Sequence, residues 1–115
     1  MSTVIGHRGA RSLAPENTLE SIRAAKACGA DFVEVAVRLS KDGFIVVIHD
    51  ETVDRTTDGS GRVEDLTLEE IKLLDAGLGE RVPTLAETVA LVGELDLGIV
   101  VEMKEEGLED LVARE

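Results

Sequence analysis

The sequence contains no tryptophan or tyrosine, and only two phenylalanines, two prolines, two histidines and one cysteine in 115 residues. With so few rings, a core must be filled by valine, leucine, isoleucine and alanine. Hydrophobic residues still make up 43% of the chain, within the range of globular domains, so disorder is not expected for most of it. The lone cysteine, Cys28, excludes an internal disulfide. It closes a helix-like stretch just before Gly29 and reads as a small buried residue. No run approaches about 18 consecutive apolar residues, so no membrane span is expected. The opening "MSTVIGHRG" lacks the basic, apolar and small-residue regions of a signal peptide, which makes the cytosol the default compartment. Positive charge is also scarce, with 12 basic against 24 acidic residues and a net charge of -12. That balance opposes binding to nucleic acid or to an anionic membrane. It leaves room for a small phosphate held by a local basic group.

What is present alternates between strand-like and helix-like segments. Val4-Ile5 is a short apolar run that ends in Gly6-His7-Arg8-Gly9. Thr18 to Cys28 reads as a helix, with Asn17 as its N-cap, Glu20 completing a capping box, and Gly29 as its stop. Leu19, Ile22, Ala25 and Ala27 supply its apolar stripe. Phe32 to Val37 is a strand interrupted by Glu34. "SKDG" then leads into a β-rich run, Phe44 to Ile48, which pattern alone reads as an antiparallel hairpin, although an extended return leg below a parallel sheet would look nearly the same. "TVDRTTDGSGRVEDL" is a polar loop. Thr67-Glu70 and Thr84-Glu87 are capping boxes that open two further helices, with Leu85, Val89 and Val92 on one face of the second. Gly93 to Asp96 reads as a turn, Leu97 to Val101 as a strand, and Gly107 to Glu115 as the start of a helix. This order predicts an α/β fold with a mostly parallel sheet. The chain is short for a complete (β/α)₈ barrel, which takes about 250 residues.

Residues capable of chemistry fall at four strand ends: His7-Arg8, Glu34, His49-Asp50 and Glu102-Lys104. In a parallel barrel, the C-terminal strand ends meet around one pocket. Both histidines of the chain sit at such ends beside a charged neighbour. Glu34, between Val33 and Val35, needs a cationic partner, because an unpaired half-buried carboxylate is costly. Taken alone, Glu102-Lys104 is as well explained by a salt-bridged strand end. Asp42 and Asp58, next to glycines, read as turn residues.

These residues also carry a family signature. "HRGARSLAPENTLESIRAA", "GADFVEVAVRLSKDGFIVVIHDETVDRTTDGSG", "VPTLAETV" and "VEMK", in that order, resemble the glycerophosphodiester phosphodiesterases, relatives of the bacterial phosphatidylinositol-specific phospholipases. The resemblance covers the first half of the usual family domain. It implies a TIM-barrel-like (β/α) fold, here about half a barrel formed by residues 1–115, with "SKDG" as a return leg rather than a hairpin. It also implies metal-dependent hydrolysis of glycerophosphodiesters to glycerol 3-phosphate and an alcohol. His7 and His49 would be the acid–base pair, and Arg8 and Lys104 would face the phosphate. Glu34 and Glu102 would hold Mg²⁺ or Ca²⁺. The family pattern has Asp at position 36, where this chain has Ala36, so metal binding is expected to be weak or lost. A non-catalytic half-barrel relative that keeps the fold is the second reading. Open sheet edges and an uncovered apolar face predict a homodimer.

Overall fold

The structure, a computed structural model, describes residues 5–9 and 14–103, with the His7 side chain outside the description. Its elements are strands β1 (Ile5–His7), β2 (Phe32–Leu39), β3 (Ile45–Val47) and β4 (Gly98–Met103), and helices α1 (Leu19–Ala27), α2 (Leu68–Lys72) and α3 (Leu85–Glu94). The expected helix from Gly107 and the residue Lys104 lie outside the described residues.

β2 is the spine of the sheet. β4 runs parallel to it along one edge, pairing Phe32 with Gly98 through Val37 with Met103. β1 pairs in parallel with its first half, His7 lying beside Glu34 in register. β3 pairs antiparallel with its end, Val37 opposite Val47. Val33 and Val37 each have a partner in β4 and another in β1 or β3, so β1 and β3 must follow one another along the same edge. The return-leg expectation is therefore corrected to a hairpin. Gly43, at φ +88°, closes the turn, and Ser40 and Phe44 join the strands through backbone and side chain.

Alternation along β2 separates two faces. Val33, Val35 and Val37 are fully buried and pack with Ile22 and Ala25 of α1 and Leu85, Leu91 and Val92 of α3. Phe32, Glu34 and Ala36 lie on the other face, beside Gly98, Val100 and Glu102 of β4. Gly98 leaves room for the Phe32 ring, which a Cβ there would approach to 2.2 Å unless the ring moved. A second apolar cluster, built from Val46, Ile48, Val53, Val63 and Ile71, anchors the long loop and α2.

Three local expectations are corrected. Asn17 is not the cap of α1: Thr18 is, accepting from the Ser21 amide, so there is no box with Glu20. Cys28 is exposed, since it caps the helix on the side turned from the sheet, and Ala27 is exposed with it. Gly93 belongs to α3 rather than to the following turn. The boxes at Thr67-Glu70 and Thr84-Glu87 form as expected. Among the described residues, no helix is long and apolar enough to cross a membrane.

Candidate functional site

The loop after β1 folds back on itself. Arg8 takes the left-handed conformation at φ +53° and Gly9 follows at +77°. Gly9 approaches Ser21 so closely that a Cβ would clash with its Oγ at 2.2 Å. The Arg8 carbonyl accepts from the Asn17 amide at 2.7 Å and from the Ser21 hydroxyl at 3.2 Å. The segment "PEN" is thereby locked under the end of β1.

Asn17, buried and also left-handed at φ +57°, fills the gap that β1 and β3 leave along β2. Its Oδ1 accepts from the Ala36 amide at 3.3 Å. Its Nδ2, like Arg8 Nε, is buried without a hydrogen-bond partner among the described residues. Two buried donors at one site are an unmet demand for acceptor atoms.

Arg8 donates to Glu16 from Nη1 at 3.0 Å. Arg55, from the polar loop, donates to the same carboxylate through Nη1 and Nη2 at 2.9 and 3.0 Å. It also donates to Asp50 through Nε and Nη2, at 2.7 and 3.1 Å. Asp50 Oδ1 then meets His49 Nδ1 at 2.8 Å. A carboxylate only accepts, so His49 carries a proton on Nδ1, and in the neutral ring Nε2 then holds the lone pair. The hydrogen bond from Arg55, then that from His49, holds the Asp50 carboxyl far below the usual carboxylate range. Burial raises the Glu16 carboxyl, but Arg55 and Arg8 together outweigh it and leave its pKa lowered. The Arg55 guanidinium is raised in turn by Asp50 and then Glu16.

His49 follows β3, half-buried, and its carbonyl accepts from Arg38 Nε at 2.9 Å. Glu34 and Glu102 are half-buried on the sheet face away from the helices. Ala36 pairs directly with Glu102, so a methyl group occupies the position beside it. Among the described residues, no three His, Cys, Asp or Glu side chains are placed to share one ion. Two carboxylates are nonetheless a donor set that suits a hard divalent cation completing its shell with water or phosphate oxygens.

The structure thus brings Arg8 and His49 into one hydrogen-bonded chain and sets Glu34 and Glu102 on one face. Glu16 and Arg55 were not foreseen from sequence. Arg55 lies in a stretch with no periodicity, and its partners are 5 and 39 residues away in the chain.

A mostly parallel sheet with α1 and α3 on one face defines half of a (β/α)-barrel, a fold that carries its site at the C-terminal strand ends. Arg8 and His49 follow β1 and β3, whereas Glu34, expected at a strand end, is the third residue of β2 and Glu102 lies within β4. The profile of the glycerophosphoryl diester phosphodiesterase family matches residues 7–111, and the chain belongs to that family. A glycerophosphodiester phosphodiesterase of Caldanaerobacter subterraneus subsp. tengcongensis is 53% identical over 108 residues, covering 88% of this chain and 44% of that protein. An Oleispira antarctica phosphodiesterase, solved with the product sn-glycerol-3-phosphate, superposes with a TM-score of 0.90 at 40% identity, over 99% of this chain and 49% of its own. A glycerophosphodiester phosphodiesterase from Agrobacterium tumefaciens gives a TM-score of 0.92 at 39% identity, over 98% of this chain and 52% of its own. The chain spans about half the length of these relatives.

Proposed function

We propose that this chain carries the acid–base and phosphate-binding half of a phosphodiester hydrolase, acting on glycerophosphodiesters to release glycerol 3-phosphate and an alcohol. The observation that carries this reading is the chain of hydrogen bonds from Arg8 to His49, which sets a cation and an oriented imidazole at neighbouring strand ends. A phosphodiester anion repels an incoming hydroxyl. Arg8 and Lys104 offset charge on its non-bridging oxygens. His49 Nε2, freed by the Nδ1 contact to Asp50, takes or returns a proton, and His7 serves as its counterpart. Glu34 and Glu102 would hold a divalent cation, whose chemistry is to polarise a phosphoryl oxygen.

Residues 1–115 form one half-barrel domain, and two copies close the ring. The test is hydrolysis of glycerophosphocholine with added Mg²⁺, Ca²⁺ or Mn²⁺. His7→Ala and His49→Ala should each lower turnover by about 100-fold or more while the thermal midpoint stays near that of the parent. Turnover equal in parent and variants would remove the hydrolase assignment. Ala36 favours a second reading, a phosphate-binding relative without turnover, in which the parent binds glycerol 3-phosphate but hydrolyses nothing.

A further inference from the structure

Arg55 sits in a loop that neither strand pairing nor helix packing explains, with its side chain half exposed. An exposed arginine usually pays the entropy of being fixed for little return. Here four donated hydrogen bonds, two to Asp50 and two to Glu16, fix it in one geometry. Its two carboxylate partners each hold a different residue of the candidate site: Asp50 holds His49 Nδ1, and Glu16 holds Arg8 Nη1.

We propose that Arg55 is a positioning residue that joins the two halves of the site, fixing the His49 tautomer through Asp50 and the Arg8 guanidinium through Glu16. The reasoning is geometric. Arg55 Nη2 donates to both carboxylates, so neither can rotate without breaking a bond that also restrains the other. A planar guanidinium alone can span two carboxylates in this way, since an ammonium group is a point charge with no fork. With Arg55 in place, Asp50 presents Oδ1 to His49 and the imidazole keeps its proton on Nδ1. Without it, Asp50 turns toward water, and the ring is free to place the proton on Nε2, where it could no longer accept one. Arg8 likewise loses the fixed Glu16 that holds its Nη1 while Nε lies buried and unmet. The consequence for turnover rests on the hydrolase reading, but the tautomer does not.

With only two histidines in the chain, their ring nitrogens resolve in a long-range ¹H–¹⁵N spectrum of the whole protein. Near pH 8.5 the parent should show His49 as the Nδ1–H tautomer. Arg55→Gln and Arg55→Lys should both make Nε2–H the major form, although lysine keeps the charge. An unchanged His49 pattern in folded Arg55 variants would overturn the proposal, as would full rescue by lysine. Should both variants unfold, the parent decides: Arg55 Nε should show a rigid order parameter, near about 0.85, and a value below about 0.6 would overturn the proposal. A tautomer switch in the variants of a parent that hydrolyses nothing would uphold the positioning role and remove only the hydrolase reading.

Discussion

At the scale of single residues, the site is organised by paired charges rather than by isolated catalytic groups. Asp50 shows the consequence for pH. Its folded pKa is depressed by Arg55 and then His49, so its stabilising contribution is full above its ordinary value of 3.8 and is lost as pH falls through that value and below. Asp50→Asn should therefore cost roughly 1 kcal/mol at neutral pH, a modest figure because the network is solvent-screened. It should also flatten the acid limb of the unfolding curve below about pH 4. Urea titrations at several pH values check both, and an acid limb identical to the parent would refute the assignment. The missing carboxylate at position 36 makes the opposite kind of prediction. Ala36 lies beside Glu102 and one residue pair from Glu34 on the same face. Ala36→Asp should raise Mg²⁺ affinity by about tenfold or more, near 1.4 kcal/mol, in isothermal titration. Without metal it should cost some stability through carboxylate repulsion. If affinity stays flat, position 36 is not a ligand position and the metal assignment falls with it. His49 and Arg8 were legible because they fall at strand ends and in family motifs. Arg55 and Glu16 were not, since only the fold brings a loop arginine to a carboxylate 39 residues away.

At the scale of elements, local signals were readable and long-range ones were not. Both capping boxes formed where a Thr and a Glu stand three residues apart, because that motif closes within one turn. Lys72 of α2 also pairs with Glu87, which ties the two boxed helices together. Asn17 misled for a physical reason. The same side chain that suits a cap also suits the left-handed turn, and its acceptor is spent on an amide of β2, 19 residues away. The "SKDG" turn was legible as a hairpin from its residues, and the resemblance argued against what the residues said. These roles predict different costs. Thr84→Ala should cost about 1 kcal/mol, as the loss of an exposed cap does. Asn17→Ala should cost more, about 2–4 kcal/mol, since it leaves the Ala36 amide buried without an acceptor and puts alanine, which tolerates the left-handed conformation less well than asparagine, at φ +57°. Equilibrium unfolding of the two variants side by side gives the ranking, and equal costs would return Asn17 to the role of an ordinary cap.

At the scale of the whole molecule, α1 and α3 cover one side of the sheet, and the second cluster with α2 covers the other side only at its β3 end. On the other side Ile5, Phe32 and Val100 are 55%, 39% and 43% exposed, at neighbouring register positions on β1, β2 and β4. Among the described residues, no strand pairs with the outer edge of β1 or of β4. An apolar patch flanked by free strand edges is an association surface. The solved relatives are about twice as long as this chain, and the proposed dimer would bring a second copy to this face. A two-fold arrangement would set the outer edges of β1 and β4 of one copy against β4 and β1 of the other and close the ring. Each copy carries a net charge of -12, so association works against electrostatic repulsion and should tighten as salt shortens the Debye length from about 30 Å at 0.01 M to about 8 Å at 0.15 M. Sedimentation at micromolar concentration should show a dimer at 0.15 M salt that weakens at 0.01 M. Val100→Lys, which puts a charge in the centre of the patch, should convert it to a monomer with unchanged helix content. A parent that sediments as a cooperative, folded monomer at both salt concentrations would mean that the open face is covered from within the chain, and the two-copy barrel would have to be abandoned.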